Sequence, residues 1–316
     1  MEGCILYRYP GKEKKIFTLG IGEDTFYLCS FKEHSPNIFR GKIADYHSIN
    51  CAKYSASEKP YCSDKETYLN QFERYIEAFD NQQISKAILS RISEEELEGL
   101  DLSEIFESLC KHYPTAFCYV FSIEGQGCWA GASPEILLQY EGNKIKTVAL
   151  AGTKYNADAD VWTQKEKEEH GMVDRYIRSL ATEKNPLVYA SDVEIVQAGT
   201  LYHLKSKFEF AADKEDISDF LERIHPTPAI CGLPFKKSRQ LILEVEKHNR
   251  SFYCGYLGVV SSQNDSFQMY VNIRCMQIID DKAYLYIGGG ITKDSEGEME
   301  WEETVRKSEI LRKIWG

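Results

Sequence analysis

The chain has 316 residues, of which 43% are hydrophobic, 12% aromatic and 28% charged, a globular composition that excludes a disordered tail or a fibre. Its 38 basic and 49 acidic residues leave a net charge of −11, which argues against a nucleic-acid footprint or a polybasic membrane surface. An anionic substrate would need locally placed positive charge.

Residues 4–62 read as short strands with turn punctuation, and Ser63-Asp64-Lys65-Glu66 reads as a capping box. It opens a helix whose apolar stripe is Tyr68, Leu69, Phe72, Tyr75, Ile76 and Phe79. A strand is expected over 84–92, a helix over 102–110 and a strand over 116–123. A hairpin with arms 128–140 and 144–151 turns at Glu141-Gly142-Asn143. Helix returns over 164–182 and strands over 187–210. Two amphipathic segments, 214–224 and 235–248, flank a shaped loop from His225 to Gly232. A meander over 252–260, 267–278 and 283–288 ends in Gly288-Gly289-Gly290, and a final helix runs to Trp315. Antiparallel strands with interspersed helices predict an α+β fold. No repeat or linker divides the chain, so residues 1–316 form one unit, with a short N-terminal β region (1–64) before a core (65–316).

Apolar runs such as 136–138 and 148–151 are too short to span a bilayer, and the start Met1-Glu2-Gly3-Cys4 lacks a basic flank before an apolar stretch. Neither export nor insertion is expected. Ten cysteines with no C-x-x-C pair read as reduced thiols in a cytoplasmic protein.

Several residues invite chemistry. Glu166, Glu169, Val173, Tyr176 and Leu180 share one helical stripe, and Glu300, Glu303, Lys307, Ile310 and Ile314 share another, so each puts paired acids on a core-facing side. Oxygen-only donors suit a hard cation such as Mg²⁺, although acids at helix starts also answer the macrodipole. Strand alternation places Lys86 with Ile84, Ile88 and Ile92, where desolvation would make it a usable base; a lysine snorkelling at a sheet edge is the alternative. In Gly131-Ala-Ser-Pro-Glu135 the carboxyl stands at the entrance to an apolar strand, where burial would keep it protonated; otherwise it is a strand-edge acid after a turn. Arg274, inside the strand expected over 269–278, is either an anion binder or half of a structural salt bridge. The glycine run either cradles a carboxylate with its N–H groups or simply turns the chain. His170 and His225 lack a Ser or Cys partner and take support roles.

In order, Lys86-Ala-Ile-Leu-Ser-Arg91, Gly131-Ala-Ser-Pro-Glu135, Ala149-Leu-Ala-Gly-Thr153, Glu169-His170, residues 225–232, Phe252-Tyr-Cys-Gly255, Ile273-Arg274 and Glu300-Trp-Glu-Glu-Thr304 resemble the chorismate-utilising enzymes, and within them the isochorismate synthases. The resemblance runs from about residue 65 to the C-terminus. It implies large, mostly antiparallel sheets flanked by helices, with the active site between two halves. It implies that Mg²⁺ is held by Glu169 and Glu303, with Glu166 and Glu300 acting directly or through water. Arg274, Tyr253 and the backbone near Gly289 and Gly290 would grip substrate carboxylates, with Ala151, Gly152, Thr153, His225, Ala229 and Lys307 also around the substrate.

Lys86 resembles the family's water-activating lysine, which ammonia-using anthranilate synthases lack. Ala151 stands where aminodeoxychorismate synthases carry an attacking lysine. The resemblance therefore implies water attack at C2 of chorismate, with Lys86 as base and Glu135 as the acid that protonates the departing C4 hydroxyl. Salicylate synthases share these residues and go on to eliminate pyruvate, so that branch is the alternative, ahead of the aminodeoxychorismate and anthranilate synthases. A menaquinone role is expected, with a siderophore route as the other use of isochorismate. No nucleic-acid or membrane partner is expected, and the chain is taken as a monomer, with a dimer as the alternative.

Overall fold

The computed structural model describes residues 1–47, 51–54, 58–82, 84–97, 99–154, 162–198 and 201–314. Three strands come first: β1 (Gly3–Arg8), β2 (Lys15–Cys29) and β3 (Asn37–Asp45). Helix α1 (Lys65–Gln82) leads to β4 (Lys86–Glu96), and α2 (Leu102–His112) to β5 (Phe117–Ile123), β6 (Gly127–Ser133), β7 (Ile136–Tyr140) and β8 (Lys144–Lys154). Then come α3 (Gln164–Arg178), β9 (Leu187–Ala190), β10 (Glu194–Ala198), β11 (Leu201–Ala211), α4 (Ile217–Ile224), β12 (Gly232–Leu233) and α5 (Phe235–Val245). The chain closes with β13 (Tyr256–Val260), β14 (Phe267–Val271), β15 (Cys275–Ile279), β16 (Lys282–Ile291) and α6 (Gly297–Arg312). The expected end at Trp315 lies outside the described residues.

Among the described residues the sixteen strands join one sheet, in the order β10-β11-β8-β7-β14-β13-β2-β1-β5-β6-β15-β16-β4-β12, with β3 on β2 and β9 on β11. The pairs are antiparallel, as the α+β reading expects. β5 shows why both faces are covered. Phe117, Tyr119, Phe121 and Ile123 enter one apolar cluster while Cys118 and Val120 enter another, so the two-residue period of a strand feeds two cores. The first core packs under α1, α3, α4 and α5; the second packs under α2 and the end of α6.

Local corrections follow from side-chain chemistry and pairing. The cap of α1 is Asp64, whose Oδ1 accepts from Thr67 N at 2.8 Å, one residue later than the expected Ser63 box. The expected first hairpin arm is broken at Pro134-Glu135, and the strand expected over 267–278 is broken into β14 and β15. Arg274 stands in the second break with φ +51°, not inside a strand. The glycine run is not a turn: Gly288, Gly289 and Gly290 are rungs of β16 opposite Ser90, Leu89 and Ile88 of β4. Finally, Cys4 and Cys51 are disulfide-bonded, correcting the expectation of ten thiols; the other eight are free. That pairing is made by the return of the chain to β1 after β3, which residue spacing does not reveal.

Candidate active site

Lys86 opens β4 and is only 5% exposed, so it does not snorkel at an edge. Its backbone is fixed by pairing with Leu233 of β12 and by the Ser238 hydroxyl, which donates to its carbonyl at 2.9 Å. Its Nζ lies 2.5 Å from Glu169 Oε1 of α3. Across the ladder, a Cβ on Gly290 would sit 2.8 Å from Lys86 Cε and 3.4 Å from Nζ. The glycine there makes room for the lysine.

Glu135 occupies the break between β6 and β7. Its N–H donates to Ser133 Oγ at 3.3 Å and its carbonyl accepts from Val271 N at 3.0 Å, which fixes the backbone that aims its carboxyl. Burial pushes that carboxyl up to about 7, against the opposing charges of Lys86 and Arg274. Both cations therefore act on the acid. Arg274 immediately precedes β15, and no carboxylate among the described residues comes within ion-pair distance of it. Burial lowers its guanidinium from the usual range, opposed by Tyr113 and Glu135.

β15 starts at Cys275 opposite Tyr286, so beyond Tyr286 strand β16 is laddered by β4 alone. Its last residues, including Gly288 to Gly290, keep one side of the backbone out of the β15 ladder beside the Arg274 break. Lys307 Nζ of α6 donates to Gly288 O at 2.9 Å, and a Cβ on Gly288 would lie 2.6 Å from the Tyr253 hydroxyl. Tyr253 is buried, its ring tilted against Tyr286.

The four glutamates are held in separate settings. Glu166 reaches back to Thr163, accepting from its N–H at 2.8 Å, as the N3 residue of the α3 capping box. Glu169 pairs with Lys86, Glu303 with Lys307 at 2.6 Å, and Glu300 accepts from Ser295 Oγ at 2.8 Å. Among the described residues no three His, Cys, Asp or Glu side chains are gathered closely enough to hold an ion together. The donors nevertheless fit a hard cation: all are carboxylate oxygens, and Glu300 Oε2 and Glu303 Oε1 lie 3.2 and 3.9 Å from where a Cβ on Gly289 would stand. A side chain at 289 would fill that cradle.

Ala151 is buried and pairs with Leu204, and the register slips between Leu204 and His203, leaving Gly152 as the bulged residue at φ +74°. A Cβ there would meet Glu166 Cβ at 3.2 Å, so the bulge glycine also lets α3 approach β8. Thr153 continues β8 opposite His203; its side chain lies outside the described residues, as does that of Ile310. His170 is buried with Nε2 3.3 Å from Ser206 Oγ, and so ties α3 to β11. His225 donates from Nε2 to Cys254 O at 2.9 Å, and burial lowers it to about 4, so it is a neutral anchor of its loop. Ala229 sits half-buried in the turn of that loop.

Sequence reasoning missed a buried group under β4. Arg250 makes a bidentate pair with Glu246 (2.8 and 2.6 Å) and reaches Ile88 O and Ile230 O, while Glu246 Oε1 accepts from Ser90 N and Oγ. This ties β4 to the 225–232 loop. The available signal was an arginine and a glutamate four apart just after a helix, which reads as an ordinary surface pair.

A model of the chorismate binding enzyme family matches residues 52–313. The chain belongs to that family. Curated relatives include the isochorismate synthase EntC of Escherichia coli K12, 27% identical over 247 residues that cover 74% of this chain and 63% of EntC. Another is the isochorismate synthase MenF of Bacillus subtilis, 28% identical over 276 residues that cover 83% of this chain and 57% of MenF. The chain thus spans less than two thirds of these relatives. Among solved structures, MenF of E. coli, the menaquinone-specific isochorismate synthase, superposes with TM-score 0.82 at 17% identity, covering 99% of this chain and 89% of that one. Anthranilate synthase component I of Streptococcus pneumoniae does so with TM-score 0.67 at 22% identity, covering 80% and 58%. These likenesses show that the family member adopts the chorismate-utilising fold. Among the described residues no helix is long and apolar enough to cross a membrane.

Proposed function

We propose that this family member is an isochorismate synthase, converting chorismate to isochorismate by water attack at C2 with loss of the C4 hydroxyl. The observation that carries the reading is a buried amine, Lys86, electrostatically coupled to a half-buried carboxyl, Glu135, that desolvation raises to about 7. One takes a proton from water while the other gives one to the leaving hydroxyl, and an acid near neutrality can donate at physiological pH. Lys86 must be neutral to act, so Glu169 must release the ammonium it now pairs with. Ala151 supplies no second nucleophile. Relatives named as isochorismate synthases add support.

Arg274, Lys307 and the Tyr253 hydroxyl are the groups proposed to receive the substrate carboxylates, and Arg274 brings a guanidinium not committed to a carboxylate. Mg²⁺ is proposed as cofactor, held by Glu169 and Glu303 with Glu166 and Glu300 in direct or water-mediated support; when bound it would neutralise and orient a substrate carboxylate. A menaquinone route is the proposed destination, in keeping with the MenF relatives.

The test is chromatographic separation of products after incubation with chorismate and Mg²⁺ and no ammonium. Isochorismate alone is expected, and Lys86→Ala should reduce its formation by about 10²-fold or more while the melting curve stays cooperative. Salicylate with pyruvate would move the protein to the lyase branch, and near-normal rates in Lys86→Ala would overturn the base assignment.

A further inference from the structure

Five residues along β4 from Lys86, and so on the opposite face, stands a second buried cation, Arg91. It is 5% exposed, and no carboxylate among the described residues pairs with it. Its partners are neutral and both belong to α6. Nε donates to Thr304 Oγ1 at 2.7 Å, and the guanidinium lies over the Trp301 ring, 4.3 Å from its centre. Thr304 is fully buried and its hydroxyl donates a hydrogen bond to Trp301 O at 2.7 Å, while Trp301 leans on Tyr68 of α1. Burial lowers the guanidinium to about 10, more than the opposing influence of Tyr68 and Glu95 restores, a cost that packing alone would avoid with an apolar residue.

The contact falls on the turn of α6 that carries Glu300 and Glu303. Thr304 is the residue after Glu303 and one helical turn beyond Glu300, so a hydrogen bond at Thr304 fixes both the rotation and the height of those two carboxylates over Gly289. Arg91 in turn is held on the rung opposite Ile287, two residues from Gly289 on the same pair of strands. The chain of contacts is short.

We propose that Arg91 is a positioning residue which, through Thr304 and Trp301, sets the direction of Glu300 and Glu303 and thereby the affinity for a divalent cation. This rests on the metal part of the reading above and not on which nucleophile the enzyme uses.

Mn²⁺ serves as the probe, titrated into the full-length protein with the free ion followed by electron paramagnetic resonance, beside a thermal melt. Thr304→Val removes the acceptor at constant shape, and Arg91→Lys keeps a charge over Trp301 while losing the Nε donor. Each should weaken Mn²⁺ binding about tenfold, and the double variant no more than either alone, because both break one link. Thr304→Ser, which keeps the hydroxyl, should bind as the parent does. If Thr304→Val does not fold, Arg91→Lys against Thr304→Ser decides the matter. Unchanged Mn²⁺ affinity in folded Thr304→Val or Arg91→Lys would overturn the proposal, as would an equal loss in Thr304→Ser. So would a parent protein that binds no Mn²⁺. A parent that binds Mn²⁺ but makes no isochorismate would overturn the activity and leave this inference standing.

Discussion

At Glu135 one environment bears on both the proposed chemistry and stability, with opposite signs. Its carboxyl ordinarily ionises at 4.5 and in the fold at about 7, so between those values the folded state keeps a proton that the unfolded chain has released. The contribution is fully present below the lower value and is lost as pH rises through the upper one. Glu135→Gln should therefore stabilise the protein by about 1–3 kcal/mol above pH 7, seen as a higher denaturant midpoint, while turnover falls by roughly 10²–10⁴. The kcat/KM of the parent should decline on the alkaline side of pH 7. A variant less stable than the parent at pH 8 would contradict the burial argument. Gly290 is a second single-residue test. A methyl there would press on Lys86 Cε, the far end of a flexible side chain; Gly290→Ala should cost about tenfold or more in kcat with little change in melting temperature. Lys86 stood out in the sequence because an ionisable group inside an apolar strand pattern is anomalous, and Glu135 because it stands at the entrance to one. The partner of Lys86 did not, since Glu169 arrives from α3 through tertiary packing alone.

Among the elements, the helices and most strands were legible from periodicity, and the errors cluster where the site is built. The breaks at Pro134-Glu135 and at Arg274 interrupt segments that read as continuous apolar strands. Alternation reports which face a side chain takes and says nothing about a residue at φ +51°, where the chain leaves the ladder. The glycine run was open between a cradle and a turn; the turn is excluded, since the run stays in β16, where its missing side chains make room for Lys86, Tyr253 and the α6 carboxylates. Beneath β4, the Glu246–Arg250 pair is 2% exposed on both sides and ties helix, strand and loop together. Removing one partner strands the other charge, so Arg250→Met should cost about 3–5 kcal/mol in a urea titration. A loss below about 1 kcal/mol would mark it as an ordinary surface pair.

On the scale of the whole molecule, the family match begins at residue 52, yet β1 and β2 lie between β5 and β13 in the middle of the sheet. The first strands are thus part of the platform that carries the site, which motif reading from residue 65 onward leaves out of view. The Cys4–Cys51 bond closes a separation of 47 residues around them. Cys51→Ser should lower stability by about 3–4 kcal/mol by the loop-closure argument, measured by denaturant titration without reductant; an unchanged midpoint would show that the bond constrains nothing. Against the net charge of −11, Arg274 is the guanidinium of the candidate site with no ion-paired carboxylate among the described residues, the local positive charge that the proposed anionic substrate would need.

The central claim, that the site delivers water to the chorismate ring, is tested most directly by running the reaction in oxygen-18 water and weighing the product. The account predicts isochorismate carrying one solvent oxygen at C2. Isochorismate formed without solvent label, or a product formed only when ammonium is supplied, would contradict it.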